Sequence, residues 1–316
     1  MVAADLARIA GVGLRHEVSR VTRRHPIPLV GGIAINDRCN LACAHCGVSN
    51  RGLPDLTWQE VRTGLATLRG MGIRLLYIEG GEPTLWRDGE YRLPDLVRLA
   101  RRLGFVFIAL YTNGTMGIPP DVDVVFVSLD GPREVNDAIR GRSYDRVVSA
   151  IESSAHPRIV LNSTISPRNE AHIERFCEDA AAMPHVTGVF FYFVTPTSAA
   201  DPLVMPYEAR VPVVERLLRL KYAGAPVLNS AAALRRIVRN TWARPARSCY
   251  LWANGRLSRC CRSIGDRHAC ANCGYLGYPE LEAISRLDPG ALVENLRLVL
   301  GDRRRRLRAR LWRLRR

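Results

Sequence analysis

The segment "PLVGGIAINDR" (28–38) runs straight into "CNLACAHC" (39–46), and what those three cysteines hold decides how the rest of the chain is read. Residues 28–35 are apolar, glycine-bearing and few, which suits a buried strand. The loop that follows carries Cys39, Cys43 and Cys46. A structural zinc site wants four protein ligands and no open position. Three thiolates fill three corners and leave the fourth vacant. His45 is the nearby candidate for that corner, but it adjoins Cys46 and its ring would have to fold back sharply. Taken alone, the loop fits zinc, inert thiols, or a 4Fe–4S cubane with one iron that lacks a protein ligand.

Downstream, strand-like and helix-like segments alternate. "LLYIEG" (75–80), "VFIALYTNG" (106–114), "VDVVFVSLDG" (122–131), "RIVLNSTI" (158–165) and "VTGVFFYFVTP" (186–196) read as further strands. Helices are expected over 57–72, where Thr57 and Glu60 form a capping box and Val61, Leu65, Leu68 and Met71 a stripe, and over 93–104, 143–153, 169–183 and 207–224. Near-continuous apolar strands joined by helices imply a parallel sheet in an α/β protein. An open doubly wound sheet and a curved barrel both satisfy the pattern. In a barrel, chemistry sits where strands end, and those ends read "NDRCN", "EGGEP", "YTNG", "SLDG", "NSTIS" and "YFVTP". After residue 225 the alternation is expected to stop, with a helical stretch near 229–242.

The 316 residues, 47% of them hydrophobic, suffice for one large domain with an appendage. No apolar run is long enough to cross a bilayer, and residues 1–24 lack the order of a secretion signal. A cytoplasmic protein is the expectation, and in a reducing compartment clustered cysteines suit metals better than disulfides. The net charge of +16 is concentrated in "RRRRLRARLWRLRR" (303–316), whose nine arginines removed from 46 basic residues leave 37 against 30 acidic ones. Lys221 is the only lysine. A local tail of this kind argues against a nucleic-acid partner, since no recognised module or aromatic-bearing sheet accompanies it. Cys177, alone on the stripe Ile173, Phe176, Ala180, reads as a core thiol.

The spacing Cys39-x3-Cys43-x2-Cys46 after the first strand, together with "GGEP" (80–83) after the second, resembles the radical S-adenosylmethionine (SAM) superfamily. The resemblance implies a partial (βα)6 barrel over 28–225. It implies a 4Fe–4S cluster on the three cysteines, with SAM on the free iron. An electron from the cluster then cleaves SAM to methionine and a 5′-deoxyadenosyl radical that abstracts hydrogen from unreactive carbon. Gly80, Gly81, Glu82 and Pro83 are expected at the methionyl end of SAM, with Glu82 able to pair with an ammonium. Asn113, Ser128, Asp130 and Asn162 stand at equivalent strand ends, the Ser128 and Asp130 pair placed for ribose hydroxyls. An electron donor of the flavodoxin or ferredoxin type is implied as a partner.

A second group, Cys249, Cys260, Cys261, Cys270 and Cys273, lies within 226–285. By itself it fits a closed zinc knuckle. Beside a radical SAM core it resembles the auxiliary-cluster extensions called SPASM or twitch domains, with Gly255 at the turn. Five cysteines support one extra 4Fe–4S cluster, not two. Adjacent Cys260 and Cys261 do not both suit one site, and the sequence does not say which is the ligand.

The remaining segments are a basic stretch (1–27) and a C-terminal helix with the arginine tail (286–316). Both termini can be drawn as basic helices with an apolar side, able to rest at the inner membrane face. Together with "LNSTISPRN" (161–169) and "CANCGYLGYPEL" (270–281), the chain is similar to the subgroup containing the hopanoid-adenosylating enzyme. That resemblance implies a small-molecule substrate, lipid-like, with sugars and nucleosides as further classes. The alternatives are a peptide maturase, disfavoured by the absence of a leader-binding segment before residue 28 and by the incomplete auxiliary set, and a zinc-stapled binding protein.

Overall fold

The six strands expected from residue 28 onward all form, and their spatial order decides between the two architectures. The computed structural model describes residues 2–196, 202–244, 246–261, 265–300 and 303–315, so small parts of both expected terminal segments and of the cysteine-rich segment lie outside the described residues. The strands are β1 (Val30–Ala34), β2 (Leu75–Glu79), β3 (Phe107–Thr112), β4 (Val124–Ser128), β5 (Ile159–Ile165) and β6 (Val186–Phe193). Each pairs in parallel with the next. Spatial order therefore follows chain order. A doubly wound sheet reverses at a switch point. This sheet never does, so it curls one way as a barrel does, and it stays open because β1 and β6 do not pair.

The helix α1 (Val2–Thr22) precedes the sheet, and α2 (Trp58–Gly70) and α3 (Leu93–Arg102) return the chain after β1 and β2. The capping box of α2 is present: Thr57 Oγ1 accepts from the Glu60 N–H at 3.2 Å, and the Glu60 carboxylate accepts from the Thr57 N–H at 2.8 Å. Val61, Leu65 and Leu68 are fully buried, each contributing about 1.5–3 kcal/mol. Met71 leaves the expected stripe because the helix stops at Gly70 and makes it the C-cap. Between β4 and β5, where one helix was expected, two form. They are α4 (Arg133–Arg140) and α5 (Tyr144–Glu152), parted at Gly141, whose φ of 71° no helix continues. Helices α6 (Ile173–Ala182) and α7 (Tyr207–Ala223) lie where expected, with Cys177 fully buried in the core.

Beyond residue 225 the strands resume, contrary to the sequence reading. After α8 (Ala231–Val238), β7 (Cys249–Ala253) pairs in parallel with β1, Cys249 opposite Val30, and β8 (Arg256–Arg259) folds back on it. Asn254 (φ 50°) and Gly255 (φ 70°) make the tight turn between them. The cysteine-rich segment also reaches the opposite edge, where the Phe193 N–H donates to the Gly274 carbonyl at 2.9 Å. It therefore bridges both edges and covers the open side of the barrel. The chain ends in α9 (Arg267–Ala271), α10 (Gly277–Ser285), α11 (Pro289–Leu300) and α12 (Arg303–Leu314). The arginine tail is helical and seats Ala309 and Trp312 against α6 and β6.

Candidate active site

The cysteine loop leaves β1 through a braced knot. Asn36 Nδ2 donates to the carbonyls of Arg38 (3.0 Å) and Glu82 (2.8 Å). The Asp37 carboxylate accepts from the Arg51 and Leu53 backbone N–H groups, and Asn50 ties Cys39 N–H and the Leu41 carbonyl together. All three thiols line one cavity of about 870 Å³ inside the barrel. Burial raises Cys39, and it pushes Cys43 up to about 11 although Arg140 pulls the other way. Among the described residues no three His, Cys, Asp or Glu side chains gather as they would around one metal ion. The donor set is thiolate-only and spread along a loop, which is the chemistry of an iron–sulfur cluster.

The two glycines of "GGEP" are needed for contact with that knot. A Cβ on Gly80 would lie 2.1 Å from Asn36 Oδ1, and one on Gly81 2.3 Å from the Arg38 carbonyl. The backbones bond there as well, Gly81 N–H to Asn36 and Glu82 N–H to Arg38, both at 2.8 Å. Each glycine thus presses the cysteine loop while lining the cavity. Glu82 is fully buried. Its carboxylate accepts from the Thr84 N–H and hydroxyl, the Thr112 hydroxyl and the Asn113 N–H, at 2.6–3.0 Å. It is engaged within the protein instead of facing the cavity, and so is Pro83, which starts the next turn. Through Glu82 the loop after β3 is fixed, and that loop does face the cavity. There Asn113 Nδ2 donates to Asn40 Oδ1 at 2.8 Å and stands 3.7 Å from Cys39 Sγ.

Ser128 and Asn162, neighbours in the β4–β5 register, line the cavity, and Asn162 Oδ1 is buried without a partner. Asp130 does not line it. Its carboxylate accepts from Arg140 Nε (2.6 Å) and the Thr164 N–H (2.7 Å), with His45 Nδ1 3.7 Å away. Arg140, absent from the sequence reading, is buried at the end of α4 with Nη1 3.9 Å from Cys43 Sγ. The helix that carries it was unread, so its place beside the loop had no signal.

Of the second group, Cys249 and Cys261 line the main cavity, while Cys260, Cys261, Cys270 and Cys273 line a small one beside it. Burial pushes Cys249 and Cys273 up to about 12, and both also feel Cys261. Cys260 goes down, mainly through its hydrogen bond with Cys261. Its Sγ also accepts from the Ala246 N–H at 3.3 Å. Arg210, also missed, is buried and clamps the C-x2-C turn by donating to the carbonyls of Met205, Asn272 and Cys273, all at 2.9 Å. Burial lowers its guanidinium to about 10. Between the cysteine groups, tyrosines ring the cavity. Tyr77 Oη is 3.7 Å from Cys249 Sγ, Tyr111 and Tyr192 share a 3.2 Å hydrogen bond, and Tyr278 donates to the Cys260 carbonyl at 3.1 Å.

Residues 33–180 match the family model described as the radical SAM superfamily. They form a radical SAM domain. The match ends before the second cysteine group. The chain is 30% identical over 178 residues to the pre-heme d1 synthase of Dinoroseobacter shibae, covering 51% of this chain and 43% of that protein. It is 30% identical over 148 residues to the Fe-coproporphyrin III synthase of Methanosarcina barkeri, covering 42% and 36%. The match to a probable GTP 3′,8-cyclase of Saccharolobus islandicus is 28% over 160 residues, covering 46% and 51%. These matches span between about a third and a half of the relatives' lengths. Streptococcus suis SuiB bound to its precursor peptide SuiA superposes with a TM-score of 0.59 at 14% identity, over 86% of this chain and 68% of that one. Structure anSMEcpe with bound AdoMet gives 0.53 at 16%, over 67% and 65%. These likenesses show the fold shared with the radical SAM domain.

Proposed function

We propose that this chain is a radical SAM enzyme acting on an elongated, largely apolar small molecule. One observation carries the substrate class: the cavity runs from the cysteine loop to an apolar far end. Around the loop its wall is polar, with Asn113, Ser128, Asn162 and Thr164. At the opposite end it is mainly apolar, with Leu29, Val30, Leu75, Phe107 and Val124, the first residues of their strands or nearly so, and His16, Glu17, Glu280 and Asn295 as the polar groups contributed by the helices there. A nucleoside triphosphate would call for cationic walls, yet Arg140, the arginine among the lining residues, is already held by Asp130.

Cys39, Cys43 and Cys46 would hold the 4Fe–4S cluster, with SAM over Gly80, Gly81 and Asn113. When bound, that pair supplies one-electron reductive cleavage of the sulfonium and hydrogen abstraction from unreactive carbon. The chain's own residues do the rest. Asn36 and Asp37 set the loop, Glu82 and Thr112 orient Asn113, Asn162 offers its unpartnered carbonyl oxygen, and the tyrosine ring keeps water from the apolar side. A flavodoxin or ferredoxin type donor would supply the electron. The second cysteine group would hold an auxiliary cluster, with Cys261 the better-placed of the adjacent pair because it lines both the main cavity, with Cys249, and the small one, with Cys270 and Cys273.

Oxygen-free reconstitution with iron and sulfide, followed by dithionite and labelled SAM with a cell extract, tests the reading. Iron incorporation, 5′-deoxyadenosine and a labelled or altered product in the solvent-extractable fraction are expected. Cys43→Ala should abolish 5′-deoxyadenosine, and Cys177→Ala should leave it intact. A protein that takes up only zinc refutes the chemistry; product confined to the aqueous or peptide fraction refutes the substrate class.

A further inference from the structure

The far end of the cavity is rimmed by apolar side chains that no described residue covers. On α1, Leu14, Val18 and Val21 are 67%, 52% and 80% exposed and recur at helical spacing on one side. On α11, which packs on α1, Leu292, Val293 and Leu296 are exposed, and they line the same cavity as Leu14. Globular proteins seldom leave such a run of aliphatic side chains in water.

The charge around this rim is mainly basic, and Asp288 at the start of α11 is an acid there, accepting from the Ala291 N–H at 3.0 Å. Arg15, Arg23, Arg24 and Arg297 are exposed. The neighbouring acids are engaged: Glu17 with Arg20 (2.9 Å), Glu282 with Arg286 (2.8 Å), and Glu294 with Lys221. Helix α12 repeats the arrangement at the same end of the barrel. Arg306 anchors it to the carbonyls of Pro157 and His185, just ahead of β5 and β6, while Leu307, Leu311 and Leu314 are exposed among arginines.

We propose that the end of the barrel opposite the cysteine loop docks on an anionic lipid bilayer, with the mouth between α1 and α11 opening into the hydrocarbon. Aliphatic side chains on basic helices enter the acyl boundary while arginines meet the phosphates. A second copy of this chain is the poorer occupant, because two-fold pairing sets arginines against arginines. The proposal deepens the substrate reading above: a largely apolar molecule dissolved in the bilayer enters the cavity without crossing water.

The test is co-sedimentation of the full, cluster-loaded chain with vesicles of phosphatidylcholine alone or mixed with phosphatidylglycerol. Partition onto the mixed vesicles that weakens as salt rises is expected. Leu14→Asp/Val18→Asp/Leu296→Asp should weaken it at least tenfold, and Arg15→Glu/Arg24→Glu should reduce mixed-vesicle binding to the phosphatidylcholine level. All these side chains are exposed, and matching circular dichroism melts confirm that the variants fold. No partition, or unchanged partition of the aspartate variant, overturns the proposal. So does a concentration-dependent dimer, seen by light scattering, that the same substitutions dissolve. Vesicle binding is read without SAM, so its failure is distinct from failure of the radical chemistry.

Discussion

Asp130 and Arg140 are a buried pair of opposite charges, and neither is spare. Arg140→Leu would leave the Asp130 carboxylate out of water with the Thr164 N–H and His45 for company. Uncompensated buried charge of that kind costs about 3–5 kcal/mol. Denaturant unfolding should register that loss, and Arg140→Leu/Asp130→Asn should recover part of it. A loss under about 1 kcal/mol would contradict the burial on which the argument stands. His156 gives a pH signature. Its Nε2 donates to the Val122 carbonyl at 3.0 Å and its Nδ1 accepts from the Arg158 N–H at 3.1 Å, so only the neutral ring satisfies both. Burial holds its pKa below the ordinary 6.5. As pH falls through about 6.5 the unfolded chain takes up the proton first, so the stability present above that pH declines down to the lower folded value. As pH drops below about 6.5 the melting temperature of the wild type should fall relative to that of His156→Gln, which lacks the titrating ring, and parallel curves would remove His156 as the source of the slope. Arg140 and His156 were invisible in the sequence, because what they do depends on a carboxylate and a carbonyl supplied by residues elsewhere in the chain. Cys39, Cys43 and Cys46 were legible because one short loop carries all three, and Gly80 and Gly81 because they stand together in "GGEP" at the end of the next strand.

Helix α2 carries Gly64 at a buried mid-helix position where propensity alone favours alanine by about 1 kcal/mol. The reason lies on β7. A Cβ at Gly64 would sit 2.5 Å from Cδ1 of Trp252, which packs there. Gly64→Ala should therefore destabilise the protein by about 1–3 kcal/mol through overpacking, and a raised melting temperature would show that α2 and β7 are not in contact. That contact also marks what sequence periodicity could reach. The six βα units announced themselves through apolar strands bounded by glycine and polar turns. The segment "CYLWA" (249–253) looked like part of a cysteine-rich loop, since a strand pairing with residues so far away in the chain leaves no local trace. The helix α4 was hidden for a different reason: eight residues between Pro132 and Gly141 are too few to display a stripe.

At the scale of the whole molecule, the hairpin β7–β8 extends the barrel sheet instead of forming a separate unit. One hydrogen-bonded sheet with one contiguous core should unfold in a single step. Far-ultraviolet circular dichroism and tryptophan fluorescence should then report coincident denaturant transitions, whereas two separated midpoints would mean that the cysteine-rich part melts on its own. The chain reads as one body because its cysteine-rich segment was spent on bridging the two edges of the barrel sheet. No described helix is long and apolar enough to cross a membrane. The closure has a further effect on how crowded copies behave. The β6 edge is occupied by Gly274 and Leu228, which bond to Phe193 and Val189, and the other margin ends in the four-residue β8 with Arg256 and Arg259. A parallel sheet with bare margins invites strangers to add strands, the first step toward amyloid-like stacking. Here one margin is taken and the other is short and twice positively charged, so concentrated solutions of the folded chain should be spared that route to precipitation.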